Sequence, residues 1–125
     1  MNIRVYYEDT DAGGIVYHTK YINFCERARS DIFFNNGMMP GIGEKSGFVV
    51  RKINADFLGS AKLGDLLTVK NTLLQLKRSS AILLQEIYRE KEKLFGMEIV
   101  LVYMENGRVS RIPEKFRTLF STTEE

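Results

Sequence analysis

The alternation of apolar and polar residues divides the chain into one helical segment near its start and a long remainder with the period of strands. Residues Asn2 to Glu8 are dominated by β-branched and aromatic side chains and read as a strand, which the run Asp9-Thr10-Asp11-Ala12-Gly13-Gly14 turns out of the sheet. From about His18 to Phe34 the period becomes helical: Tyr21, Cys25, Ala28 and Ile32 form one stripe, widened by Ile22, Phe24 and Phe33. Lys20, Glu26, Arg27 and Asp31 fall off the stripe, and Arg27 and Asp31 have the spacing of a helical ion pair. Asn35-Asn36-Gly37 supplies residues able to take a left-handed C-cap.

Beyond a glycine-rich loop, GMMPGIGEKSG, the period is two. Ile53, Ala55 and Phe57 alternate with polar neighbours, and Phe95, Met97, Ile99, Leu101 and Tyr103 form another inward set. Leu66 to Leu76 and Ala81 to Arg89 are strand-like and joined through Lys77-Arg78-Ser79-Ser80, while Glu90-Lys91-Glu92-Lys93 reads as the next hairpin turn. Asn106-Gly107 is the strongest hairpin signal, because both residues tolerate the positive φ of a type I′ turn. At Pro113 the chain leaves the sheet as a short helix with proline at N1. One helix followed by antiparallel strands predicts an α+β domain whose sheet lies against, or curls around, that helix. The open edges of such a sheet predict a homodimer with a continuous sheet.

At 125 residues the chain has the size of a single domain spanning 1–125. The net charge is +2 with dispersed cations, so no nucleic-acid or membrane patch is expected. One cysteine and one histidine form neither an internal disulfide nor the usual zinc ligand set, so no structural metal and a reducing compartment are expected. The opening MNIRVYY lacks the apolar core of a signal peptide, and no run approaches the ~20 apolar residues of a membrane span. A cytoplasmic location follows as an expectation.

Candidate chemistry concentrates between Tyr6 and Ser30. Asp11 precedes two glycines that let backbone approach a ligand closely, and then a helix start whose free N–H groups attract negative charge. Such amides stabilise an oxyanion as it develops, and a carboxylate facing the same carbon can attack it or activate a water. The same residues also serve simply to cap and bend a turn. If the chain is extended, Asp9 and Asp11 point the same way, roughly 7 Å apart; otherwise Asp9 is a turn former. His18 and Cys25 are seven residues apart, so a helix separates them by about 10 Å and they form no nucleophile–base dyad. Cys25 belongs to the apolar stripe, and the backbone N–H of His18 is its better functional group.

The motif YEDTDAGGIVYHTKYINFCERARSDIF, Tyr7 to Phe33, resembles the hot-dog-fold acyl-CoA thioesterases of the 4-hydroxybenzoyl-CoA thioesterase type. Within them it is most similar to the bacterial branch associated with the Tol-Pal envelope system. GDLLTV (Gly64 to Val69), KRSSAILLQEIYR (Lys77 to Arg89) and RIPEKF (Arg111 to Phe116) continue the resemblance across the chain. One departure is Ser60-Ala61-Lys62-Leu63, where Pro-Ala often precedes the Gly-Asp turn.

The resemblance implies an antiparallel sheet wrapped around one long central helix, and hydrolysis of an acyl-CoA thioester to a carboxylic acid and free CoA without a cofactor. It makes Asp11 the catalytic carboxylate, as nucleophile or general base, and His18 the donor of a backbone N–H to the thioester oxygen, its imidazole also in the site. Gly14 and Tyr17 belong to the oxyanion and pocket region, and Arg78 and Ser79 fall where the family meets the phosphates or pantetheine arm. Arginine suits phosphate because its planar fork donates two parallel hydrogen bonds. Active sites straddling a homodimer interface, with dimers pairing into homotetramers, are also implied. Acyl carrier protein is a second candidate thiol carrier. Two rival readings are a hot-dog dehydratase acting on 3-hydroxyacyl thioesters and a non-catalytic acyl-thioester or acyl-carrier-protein binding module.

Overall fold

The computed structural model describes residues 1–41 and 45–123; residues 42–44 of the glycine-rich loop lie outside the described residues. In chain order the elements are β1 (Asn2–Arg4), a 3-10 turn (Tyr7–Asp9), α1 (His18–Phe34), β2 (Ser46–Phe57), β3 (Leu66–Leu76), β4 (Ser80–Arg89), β5 (Glu92–Glu105), β6 (Arg108–Val109) and α2 (Glu114–Ser121). The strands pair antiparallel in the order β1-β3-β4-β5-β2, with β6 added to β5. Register shifts at Val50/Lys52, Leu73/Gln75 and Ile87/Tyr88 bend the strands, as bulges do, and curl the sheet about α1.

The helix follows its sequence pattern. Tyr21, Phe24, Cys25, Ala28 and Phe33 are buried, and Ile32 is half-buried. Full removal of a side chain such as Phe24 from water is worth roughly 1.5–3 kcal/mol, so this face holds α1 in the curl of the sheet. Gly37 ends the helix at φ 69°, and the Met38 N–H reaches back to the Phe33 C=O at 2.9 Å. Asn106 and Gly107 both take positive φ, 50° and 78°, as the type I′ reading requires.

Boundaries differ from the sequence reading at four places: β4 already begins at Ser80, the turn before β5 narrows to Glu90-Lys91, and two further differences lie at β1 and α2. The first strand stops at Arg4 instead of reaching Glu8, because the Asp9 carboxylate accepts the Tyr6 N–H at 3.0 Å and winds Tyr7–Asp9 into a 3-10 turn. Pro113 is the N-cap of α2, one position ahead of N1. A second core closes the far end of the barrel-like curl, where Phe116, Leu119 and Phe120 of α2 meet Phe33, Tyr103 and Ile112.

Strand β2 is the outlier in burial. It lies at one end of the sheet, paired only with β5, and leaves Val49, Val50, Ile53 and Phe57 between 38% and 49% exposed. By contrast Phe95, Met97, Ile99, Leu101 and Tyr103 on β5 are buried, as their alternation predicts.

Candidate active site

Between the 3-10 turn and α1 the chain makes a small bridged loop. Thr10 pairs with Val16, the Asp11 N–H donates to the Ile15 C=O at 2.9 Å, and the Gly14 N–H donates to the Asp11 C=O at 3.0 Å. Gly14 closes this turn at φ 81°, a left-handed conformation that costs a residue with a Cβ. Asp11 is exposed at the tip; its Oδ1 accepts the Gly13 N–H at 2.8 Å, and among the described residues its Oδ2 has no partner.

The neighbouring acid goes elsewhere. Asp9 is 3% exposed, bonded to the Tyr6 N–H and 3.6 Å from the Lys20 ammonium of α1. The 3-10 turn removes the extended geometry that would align Asp9 with Asp11, so the two carboxylates do not share a site, and the turn-forming reading of Asp9 holds.

Tyr17 is the N-cap of α1, with no side-chain cap. Its own N–H is committed to the Asp9 C=O at 3.0 Å, and the Lys20 N–H turns back to the Tyr17 C=O at 2.9 Å. The amides of His18 and Thr19 therefore open the helix with no acceptor among the described residues. Gly14, whose N–H is taken by Asp11, contributes its bend rather than a donor. The exposed His18 imidazole lies 4.6 Å from the Tyr17 ring and 6.1 Å from the Phe57 ring, measured between centroids. The end of β2 thus flanks the opening of α1.

A third segment supports the loop, and sequence reasoning missed it. Ile15 pairs with Lys62, the Val16 N–H donates to the Ala61 C=O at 2.9 Å, and the Ala61 N–H donates to the Tyr21 hydroxyl at 2.9 Å. Arg89 holds this segment from outside through the Ser60 C=O at 3.2 Å and Asp65 Oδ2 at 2.8 Å. Burial alone raises the Asp65 carboxyl, but the Lys62 amide and the Arg89 guanidinium outweigh it and hold it below the usual carboxylate range. The turn thus forms without the Pro-Ala pair, its bend carried by Gly64 at φ 89° and by Asp65 bonding to the Lys62 N–H.

Arg78 and Ser79 sit in the β3–β4 connection, where their carbonyls accept the N–H groups of Ile112 and Tyr103. Strand β3, of 11 residues, lies between them and the Ala61 segment and spans roughly 35 Å. One subunit therefore does not bring them to Asp11. Cys25 is fully buried, and desolvation pushes its thiol up to about 12, consistent with a core role. Among the described residues no cluster of side chains could hold a metal ion, and no helix is long and apolar enough to cross a membrane.

Residues 13–95 match the family model of the Thioesterase superfamily, a span that includes His18 and begins just after Asp11. The Acyl-CoA thioesterase YbgC of Helicobacter pylori (strain J99) is 39% identical, with 97% of this chain and 98% of that protein covered. The Acyl-CoA thioester hydrolase YbgC of Escherichia coli O157:H7 is 36% identical over 80% of this chain and 76% of its own. Both fit the branch that the Tyr7–Phe33 motif resembles. Among solved structures, a probable thioesterase from Bartonella henselae superposes with a TM-score of 0.84 at 32% identity, covering 90% of this chain and 97% of that one. The chain belongs to the thioesterase superfamily and has its hot-dog fold.

Proposed function

We propose that the protein hydrolyses acyl-CoA thioesters, with the Asp11 carboxylate and the opening amides of α1 as its machinery. The observation that carries this reading is the pair of N–H groups at His18 and Thr19, without a partner among the described residues and placed directly after the short loop that presents Asp11. A thioester oxygen bound by these amides gains stabilisation as it becomes an oxyanion. Asp11 either attacks the carbonyl carbon, giving a mixed anhydride that water opens, or takes a proton from the attacking water. In both routes the C–S bond breaks, CoA leaves as thiolate, and the acyl group ends as a carboxylic acid.

The exposed apolar edge of β2 supports a homodimer with a continuous sheet, formed where Val49, Val50, Ile53 and Phe57 lie uncovered. A two-fold axis across β2 brings opposite ends of the two subunits together, which is how Arg78 and Ser79 of one copy would approach Asp11 of the other and meet the CoA phosphates. Asp11→Asn is the direct test: release of free thiol should fall at least ~10²-fold. Near-normal thiol release would overturn the assignment, and an enoyl product from 3-hydroxyacyl thioesters would replace hydrolysis by dehydration.

A further inference from the structure

We propose that Tyr21 is a positioning residue for this reaction, fixing the Asp11 loop relative to the opening amides of α1 by way of Ala61. The inference rests on the thioesterase reading above. Tyr21 lies one turn into α1, so its backbone moves with the amides of His18 and Thr19. Its hydroxyl oxygen accepts the Ala61 N–H, the Ala61 C=O accepts the Val16 N–H, and Val16 pairs with Thr10 across the base of the Asp11 turn. A hydrogen-bonded path therefore joins the helix to the carboxylate loop, independent of the covalent link through Tyr17.

The path is stiff at both ends. The Tyr21 ring stacks on Phe95 at 5.5 Å and 15° and meets Phe24 and Phe57 edge-on at 6.4 and 6.1 Å, so its hydroxyl is held in one place. The segment on which it acts is clamped from the opposite side by Arg89, which also bonds Glu92 at 2.7 Å. Ala61 is 0% exposed, so removing the phenol oxygen leaves its N–H without water as a substitute. The segment must then shift to find an acceptor, and Val16 and Asp11 shift with it. A carbonyl gripped by the helix amides and attacked from the Asp11 side requires the two groups to keep their separation closely, because a misplacement of about 1 Å can cost about 10²-fold in rate.

Tyr21→Phe retains every ring contact and deletes only the acceptor. Its kcat with acyl-CoA should fall about ten- to a hundredfold, while inhibition by free CoA stays within about twofold of the parent value. Introduced into Asp11→Asn, the same change should cost less than about twofold, because the residue acts through that carboxylate. Arg89→Met, which frees the other side of the segment, provides the second variant should Tyr21→Phe fail to fold. It should lower kcat, with a loss that likewise vanishes in the Asp11→Asn background. A Tyr21→Phe kcat within about twofold of the parent, or equal losses with and without Asp11, overturns the proposal. A fully active Asp11→Asn enzyme would instead remove Asp11 from the machinery, and a parent protein that releases no thiol from acyl-CoA would refute the thioesterase reading itself.

Discussion

The Asp11 carboxylate accepts a hydrogen bond from the Gly13 amide at 2.8 Å, and a Cβ placed on Gly13 would lie 3.2 Å from that same oxygen. One oxygen is thus bonded to the backbone, and a side chain at position 13 would make the carboxylate give by a few tenths of an ångström. Gly13→Ala should rotate the carboxylate rather than unfold the loop, giving a fall in kcat with a change in stability under about 1 kcal/mol. Parallel thiol-release and denaturant measurements check this.

Gly14 separates a backbone effect from a steric one. Its Cβ position is open, but its φ is 81°, so Gly14→Ala should destabilise by about 1–2 kcal/mol through the left-handed conformation alone. Gly14→Asn, which tolerates that region better, should recover part of the loss in thermal melting.

Gln85 is fully buried and links three elements. Its Nε2 donates to the Cys25 C=O at 2.8 Å and to Asn71 Oδ1 at 2.6 Å, and its Oε1 accepts from Arg29 at 3.0 Å. Gln85→Leu strands the partly buried Arg29 guanidinium and the Asn71 carbonyl, so a loss of about 1–3 kcal/mol in urea unfolding is expected.

Cys25 supplies a pH dependence with a definite sign. Burial raises its thiol from 9.0 to about 12 in the folded chain, with the Arg29 charge opposing. Above pH 9 the unfolded chain therefore holds fewer protons than the folded one, and stability falls as pH rises through the window up to about 12. Cys25→Ala should flatten this alkaline limb. In the parent protein a thiol reagent at pH 8 should react only after denaturant is added.

Edge exposure gives the oligomer test. Ile53→Asp places a charge on the open face of β2, where the parent residue is 38% exposed. Sedimentation should show the dimer dissociating while circular dichroism keeps the fold, and activity should fall with the dimer if each site draws on both copies. A parent protein that sediments only as monomer at micromolar concentration would remove the dimer.

Local signals were legible because they depend on neighbours in the chain. The stripe from Tyr21 to Phe33 set the buried face of α1, Asn106-Gly107 set the last hairpin, and the alternation from Phe95 to Tyr103 set the inward face of β5. The Asp11 turn and the helix start after it were likewise readable, since both lie within a few residues of each other.

The sequence by itself determined these elements, through periodicity, turn chemistry and helix ends, all of which act over a few residues. Only the tertiary structure decided that Asp9 turns inward while Asp11 stays out, and that β2 is left uncovered at the sheet edge. It also decided that Tyr21 holds Ala61 across 40 residues and that Gln85 reaches Arg29 and Cys25 across 56 and 60. Such partners meet because the sheet curls around the helix, and no local pattern of residue types records which buried donor will face which acceptor.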